Sequence, residues 1–129
     1  MIYVADTHSL VWFLSEDQQL SLKAKEIFEQ AEKGDVVIII PTIVLAELLH
    51  IYERKGKQDS FSPIIKKLKE GSNYTTYDLD IEVILACKTL IKIPEMHDKI
   101  ITATAKLLKA TVITKDQEII DAKYVETVW

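Results

Sequence analysis

The run VVIII at residues 36–40 is the feature that most constrains the fold of this chain. It holds five consecutive β-branched apolar residues, is closed by Pro41, and follows the helical pattern SLKAKEIFEQAEK. A strand that is buried on both faces of a parallel sheet has a continuous apolar run of this kind, whereas a half-exposed strand alternates. A helix leading directly into such a strand indicates a parallel sheet covered by helices.

The alternation of helix and strand continues along the chain. Helices are predicted from about Thr42 to Lys55, in a short segment with Ser62 and Pro63 as N-cap and N1, and in IEVILACKTLIKI, DKIITATAKLLK and DQEII. Strands are predicted in IYVA, NYTTY, ATVIT and VETVW. We therefore expect an α/β fold, a three-layer sandwich with a mostly parallel five-stranded sheet, forming one domain over residues 1–129.

Composition narrows the class of protein. The chain of 129 residues has a net charge of -4 and a single cysteine, Cys87, which predicts a cytoplasmic domain that folds without disulfides. The absence of a basic leader and of a membrane-length apolar segment predicts a soluble protein. An acidic chain with one arginine, Arg54, is not typical of a module that grips nucleic acid by neutralising phosphates. Any nucleic-acid chemistry would need bound cations.

Carboxylates recur where open parallel sheets bind ligands, beyond the carboxyl ends of their strands. Asp6 ends the first predicted strand, and Asp116 follows the fourth in VITKD. Glu47 lies on the second turn of the helix after Pro41, on an apolar stripe where an unpaired carboxylate is costly. Asp98 lies in the first turn of its helix. Chain order alone does not bring it to this edge, because two helices separate the third and fourth strands.

The three aspartates also have structural explanations. Asp6 could be a turn residue, and Asp98 could be an N-cap. Asp116 could be a first-turn acid in a helix whose Thr114 and Gln117 form a capping box. Glu47 has no capping role in the middle of a helix, so a functional role weighs more for it than for the aspartates.

Together these residues resemble the PIN domain family over the whole chain. The segment VADTH, the helix with Glu47, HDKIITATA and VITKDQEI are similar, in order and spacing, to the four acidic motifs of that family. In its size the chain is similar to the VapC-type toxins of bacterial and archaeal toxin–antitoxin pairs. The sequence has His97 and Lys99 where many relatives carry other residues, so no role is transferred to these two positions.

The resemblance implies a metal-dependent endoribonuclease, the toxin of a VapBC-type pair, with Mg²⁺ or Mn²⁺ as its cofactor. Its implied metal-binding and catalytic residues are Asp6, Glu47, Asp98 and Asp116. Thr7 and Thr114 match hydroxyl residues that support the family's site. Carboxylate oxygens suit these hard cations, while Cys87 and the three histidines lack the spacing of a zinc site.

The same resemblance implies three partners: an RNA substrate, an antitoxin and a second copy of the chain in a homodimer. The antitoxin is expected in the groove near the helices that hold Trp12, Phe13 and Tyr52, where one of its arginines could enter the acidic site. The lysines of ERKGK and KKLK could help to hold RNA, although a solvated helical face is the simpler explanation for most of them.

Two other interpretations remain open. A phosphoacceptor receiver domain is also a parallel α/β fold and would use Asp6, Asp78 and Lys115, but it leaves Glu47 and Asp98 without a role. A PIN-like fold kept only as a regulatory binding module would not need all four acids.

Overall fold

The sheet is built from five strands in the order β3-β2-β1-β4-β5, and all four strand pairings are parallel. The computed structural model describes residues 1–71 and 73–129. The strands are β1 (Ile2–Ala5), β2 (Val37–Pro41), β3 (Tyr74–Tyr77), β4 (Thr111–Ile113) and β5 (Thr127–Val128). The sequence prediction of a five-stranded parallel sheet is confirmed.

In the part of the chain that the structure describes, seven α-helices connect the strands. They are α1 (Thr7–Leu14), α2 (Leu22–Glu32), α3 (Thr42–Arg54), α4 (Phe61–Glu70), α5 (Ile81–Cys87), α6 (Met96–Leu108) and α7 (Gln117–Ala122), with a short 3-10 turn at Gln58–Ser60. The chain moves outward from β1 to β3 and then returns past β1 to β4 and β5. Because parallel crossovers are right-handed, this reversal puts α1–α4 on one face of the sheet and α5–α7 on the other. The result is the expected three-layer sandwich.

The position of β2 in the hydrophobic core explains why its sequence is a continuous apolar run. Ile38 and Ile40 have no exposed surface and belong to the main cluster between the sheet and its helices. A smaller cluster joins α5 to α6 and includes Cys87, which is buried as a core residue. Among the described residues, no helix is both long enough and apolar enough to cross a membrane.

Three helix boundaries differ from the sequence prediction. Helix α4 begins at Phe61 with Ser60 as N-cap, so Pro63 lies in its first turn, where a missing N–H costs no intrahelical bond. Helix α5 ends at Cys87, although the apolar pattern continues to Ile93. Leu90 and Ile93 remain buried while Ile91 is exposed, because the chain continues in tight turns. Leu90 N donates to the Cys87 carbonyl, and Ile93 N donates to the Leu90 carbonyl.

The third difference concerns the helix that carries Asp98. Helix α6 begins at Met96, and Glu95 is its N-cap, accepting a 2.8 Å hydrogen bond from Asp98 N. The interpretation of Asp98 as an N-cap is therefore wrong. Its carboxylate is left free for another role.

Candidate active site

Asp6 and Thr114 are brought together by the register of the two central strands. Ala5 of β1 pairs with Ile113 of β4, and Asp6 and Thr114 are the next residues along each chain segment. The Thr114 hydroxyl hydrogen-bonds to the Asp6 carboxylate and accepts a 3.0 Å bond from Asp116 N. One hydroxyl therefore contacts both strand-end aspartates.

Asp6 is buried and also caps α1, where its Oδ1 accepts a 2.8 Å hydrogen bond from Ser9 N. Burial raises the pKa of the Asp6 carboxyl, and the hydrogen bonds from Thr114 and Ser9 with the charge of His8 offset only part of that effect. A buried carboxyl with a raised pKa is more common at functional sites than in turns.

Asp116 is the N-cap of α7. Its Oδ1 accepts from Glu118 N at 2.9 Å and from Ile119 N at 3.3 Å. The predicted capping box is wrong, because Thr114 bonds to the Asp116 backbone and Gln117 bonds instead to Asp121 at 2.7 Å.

Asp98 reaches the same edge through the direction of its helix. Helix α6 packs against β1 and β4, and because it precedes β4 in a parallel crossover it runs antiparallel to the strands. Its first turn therefore lies at the carboxyl end of the sheet. Carboxylate oxygens of Asp98, Asp116 and Glu118 lie within 4.8 Å of one another. Burial, then the charges of Asp116, Glu95, Asp6 and Glu118, raise the pKa of Asp98 to about 7.

Glu118 is the member of this cluster that the sequence interpretation missed. It follows Asp116 by two residues in KDQEI, in the first turn of α7. Acids are common in first turns because they complement the helix dipole, so the position alone gave no signal of a site. A second acid two residues after a strand-end acid was the available indication.

Glu47 lies beside the cluster and is not part of it. Its Oε1 accepts a 2.7 Å hydrogen bond from the Thr7 hydroxyl, and its Oε2 lies 3.5 Å from His97 Nδ1. The same histidine nitrogen is 3.1 Å from Glu95 Oε1. Glu47 is therefore connected to the start of α1 through Thr7 and to the start of α6 through His97, so three segments that carry acids meet around it.

Among the described residues, the cluster lacks a lysine or arginine partner. In residues 1–71 and 73–129, the carboxylate contacts shorter than 4.0 Å to a side-chain nitrogen of a basic residue are those of His97. Neighbouring carboxylates without a counter-charge repel one another, and their oxygens are the donors that hard divalent cations prefer. The donor set of Asp98, Asp116 and Glu118 fits such a cation.

The strand order argues against a receiver domain. Receiver folds have the order 2-1-3-4-5, which sets the third strand beside the first. Here β2 separates β1 from β3, so Asp78 follows a strand about 10 Å from β1 at the usual strand spacing. Lys115 stacks over Trp12, with its Nζ 4.8 Å from the ring centroid.

The fold and its acidic strand edge agree with comparison to known families. The profile of the PIN domain family matches residues 3–124, so the chain belongs to the PIN domain family. Among the curated proteins compared, none matches significantly.

Solved structures with the same fold include a toxin–antitoxin complex from Klebsiella pneumoniae, which is 17% identical with a TM-score of 0.69, covering 98% of this chain and 96% of that chain. VapBC2 from Rickettsia felis, bound to a DNA fragment from its promoter, is 19% identical with a TM-score of 0.76, covering 99% of this chain and 98% of that chain. DNA-bound VapBC from Salmonella typhimurium is 14% identical with a TM-score of 0.73, covering 99% and 97%. FitAcB from Neisseria gonorrhoeae is 19% identical with a TM-score of 0.68, covering 100% and 97%. At these identities the likeness establishes the fold.

Proposed function

We propose that the chain is a divalent-metal-dependent endoribonuclease, a single PIN-like nuclease domain over residues 1–129, acting in the cytoplasm as the toxin of a VapBC-type pair. The observation that carries this proposal is the cluster of Asp98, Asp116 and Glu118 beside the buried Asp6, without a basic partner. Such an arrangement is costly unless a cation or a proton occupies it.

The metal-binding and catalytic residues in this proposal are Asp6, Glu47, Asp98, Asp116 and, added from the geometry, Glu118. Mg²⁺ or Mn²⁺ would supply a nucleophilic water at neutral pH and offset charge on the phosphate. The chain's own part is orientation. Thr114 fixes Asp6 against Asp116, and Thr7 fixes Glu47. Without metal, Asp98 keeps its proton up to about pH 7, which lowers the repulsion within the cluster.

Bound cations also explain how an acidic protein can bind RNA. The net charge of -4 opposes a polyanion, but divalent ions at the strand edge reverse the local sign of the potential. Attraction to RNA is then confined to the site itself, so binding should depend on the metal more than on the surface lysines.

The antitoxin docks in a groove of about 980 Å³ between α1 and α2. We call it the α1–α2 groove; its apolar lining includes Trp12, Phe13, Leu14, Leu20 and Leu22, and Lys67 of α4 lies at its side. The toxin–antitoxin neighbours support this partner, and a groove with both apolar and charged lining residues suits an amphipathic segment. Tyr52 is buried in the main core and does not itself line the groove. Trp12 also lines the cavity with Asp6 and Asp116, which brings the end of a docked segment within reach of the acids.

The homodimer forms through the outer face of α5. Ile81, Ile84 and Leu85 form one helical stripe and are 72%, 53% and 51% exposed, and a contiguous exposed apolar stripe is often an interaction site. Glu82 and Lys88 lie three residues before and after Leu85. Two α5 helices crossing antiparallel on a two-fold axis at Leu85 pair each Glu82 with the other copy's Lys88.

The experiment is cleavage of a structured RNA by the purified chain with Mg²⁺ or Mn²⁺ and with chelator. Cleavage should require metal and should fall by orders of magnitude in Asp98→Asn and in Asp116→Asn. Asp59→Asn, an exposed acid on the 3-10 turn, is the matched control and should cleave normally. If metal raises the melting temperature and no RNA is cleaved, the regulatory binding module is the better interpretation.

A further inference from the structure

A cavity of about 340 Å³ opens directly beside the proposed metal-binding acids. Its lining residues are Asp6, His8, Trp12, Gln19, Lys115, Asp116 and Trp129. Asp6 and Asp116 thus belong both to the acidic edge and to this cavity. The remaining lining is mainly aromatic, which a metal site does not require.

The aromatic rings form a corner. Trp12 and Trp129 meet edge to face, with centroids 5.8 Å apart and an interplanar angle of 68°. His8 lies tilted against Trp12 at 5.4 Å. Both tryptophans are only partly buried, although tryptophan buries well when the core has room for it. Exposed π-faces in a concave site are surfaces on which a planar ligand can stack.

We infer that this aromatic cavity binds the unpaired base of the nucleotide next to the cleaved phosphodiester. The inference rests on the proposed nuclease function and names where its substrate is held. When the cleaved phosphate lies at Asp6 and Asp116, the base of the adjoining nucleotide is within reach of the Trp12 and Trp129 rings, because all four residues line the same cavity. Single-stranded nucleic acid is commonly held by bases stacked on aromatic side chains. The cavity volume lies at the lower end of the range for small-ligand pockets. A cavity of this size can hold one base but not a base-paired duplex.

Lys115 supplies the positive charge that this site needs. Lys115 is exposed, and its contact with Trp12 is a cation–π interaction. It lines the cavity together with Asp6 and Asp116. Its ammonium group is therefore available to a phosphate of the strand whose base stacks on Trp12. The cavity favours RNA with an unpaired nucleotide at the cleavage position, such as a loop or a bulge.

Tryptophan fluorescence measures occupancy directly, because Trp12 and Trp129 are the two tryptophans of the chain. The Asp98→Asn variant, whose altered residue does not line the cavity, keeps the RNA intact during titration with Mg²⁺. The probes are a short single-stranded RNA and the same RNA with one abasic ribose, moved position by position. We expect saturable quenching, and at one position the abasic RNA should bind about 5- to 150-fold more weakly, the range for stacking of one base.

Cleavage kinetics supply the second readout. In the otherwise unaltered chain, Trp12→Leu should lower kcat/KM for intact RNA and leave the abasic RNA at that position unaffected, while Trp12→Phe should retain most activity. The control variant is Tyr124→Leu, which removes a half-exposed ring outside the cavity that also contacts lysines. Its kcat/KM for both RNAs should equal that of the unaltered chain. Measuring the melting temperatures of all variants tests whether a loss of activity is caused by unfolding.

The outcomes separate this inference from the nuclease proposal. If Trp12→Leu lowers kcat/KM equally for intact and abasic RNA, the proposed base site is refuted and the nuclease proposal is unaffected. Absence of cleavage with base-dependent quenching supports the base site and counts against the nuclease. Quenching by a peptide that docks in the α1–α2 groove, without quenching by RNA, would assign the cavity to the protein partner and overturn the inference.

Discussion

The Thr7 hydroxyl donates a 2.7 Å hydrogen bond to Glu47, joining residues that are forty positions apart in sequence. Thr7 is the first residue of α1, directly after Asp6, and Glu47 lies on the second turn of α3. Both helices follow parallel strands, so their first turns lie at the same edge of the sheet. This bond sets the position of Glu47 relative to the strand-end aspartates.

Thr7→Val should weaken metal binding while the fold is retained. Valine has nearly the same shape as threonine but cannot donate to Glu47, so the carboxylate loses the contact that orients it. Loss of such supporting hydrogen bonds usually costs about 10- to 100-fold in metal affinity or activity. Titration of Mn²⁺ against Thr7→Val and Thr7→Ser measures the effect. Thr7→Ser keeps the hydroxyl, and equal weakening in both variants would contradict the role given to the bond.

Asp98 should make the metal-free protein less stable as pH rises. Its pKa is raised to about 7 from the model-peptide value of 3.8, so between these values the folded state binds more protons than the unfolded state. The free energy of unfolding then decreases with rising pH across this window and levels off above about pH 7. Melting temperatures from pH 4 to 8 in chelator should fall less steeply for Asp98→Asn than for the unaltered chain. Identical slopes would contradict the raised pKa.

Metal binding should be visible as stabilisation. A cation that binds only the folded state adds about 2.7 kcal/mol to the free energy of unfolding at 100 times its Kd. The double variant Asp6→Asn, Asp116→Asn should lose this increase in melting temperature with Mg²⁺ or Mn²⁺. The double variant Asp35→Asn, Asp59→Asn removes the same charge from exposed positions and should keep the increase. If the first pair retains the full increase, the cation binds elsewhere.

The sequence was sufficient to predict that Asp6 and Asp116 approach each other. Strands that are buried on both faces are typical of parallel sheets, in which the carboxyl ends of the strands lie at one edge. Residues just beyond β1 and β4 therefore lie together once those strands are neighbours. The order of acids in the PIN-like motifs agreed with this placement. Family membership over residues 3–124 confirms the resemblance on which it was based.

Asp98 and Glu118 show where sequence reasoning stops. Asp98 reaches the edge because α6 runs back antiparallel to β4, and chain order does not fix that direction when two helices intervene. Glu118 occupies a first-turn position that helix-dipole effects already explain. In both cases tertiary packing determines that the residue joins the site, and the local sequence pattern does not contain that information. The early end of α5 has the same cause, since the turns at Leu90 and Ile93 satisfy the core without a helix.

The α5 face should hold two copies together. Leu85→Asp places a charge at the proposed axis and should shift light scattering toward monomer, whereas Leu107→Asp, at a 44% exposed position on α6, should not. Lys88→Glu should also weaken association, because it then faces Glu82 of the other copy. The double variant Glu82→Lys, Lys88→Glu restores opposite charges and should recover the dimer. Failure of that rescue would refute the antiparallel pairing.

Glu47→Gln separates a metal-binding role from a structural one. Glutamine retains an oxygen that can accept the Thr7 hydrogen bond, so the side chain keeps its place and loses only its charge. If Glu47 contributes to the metal site, metal-dependent cleavage of RNA should fall by orders of magnitude. Folding should survive, because Glu47 is 28% exposed and its contact with a basic side chain is a 3.5 Å approach to His97.

The matched control is Glu53→Gln, an exposed acid six residues further along α3 that should change neither property. The two measurements are the cleavage rate with Mg²⁺ or Mn²⁺ and the melting temperature in chelator. A structural ion pair would give the opposite pattern, because neutralising one partner destabilises the fold and leaves catalysis near normal. Cleavage by Glu47→Gln close to that of the unaltered chain, with a marked drop in the chelator melting temperature, would remove Glu47 from the site. The metal would then be held by Asp6, Asp98, Asp116 and Glu118 without a ligand from α3.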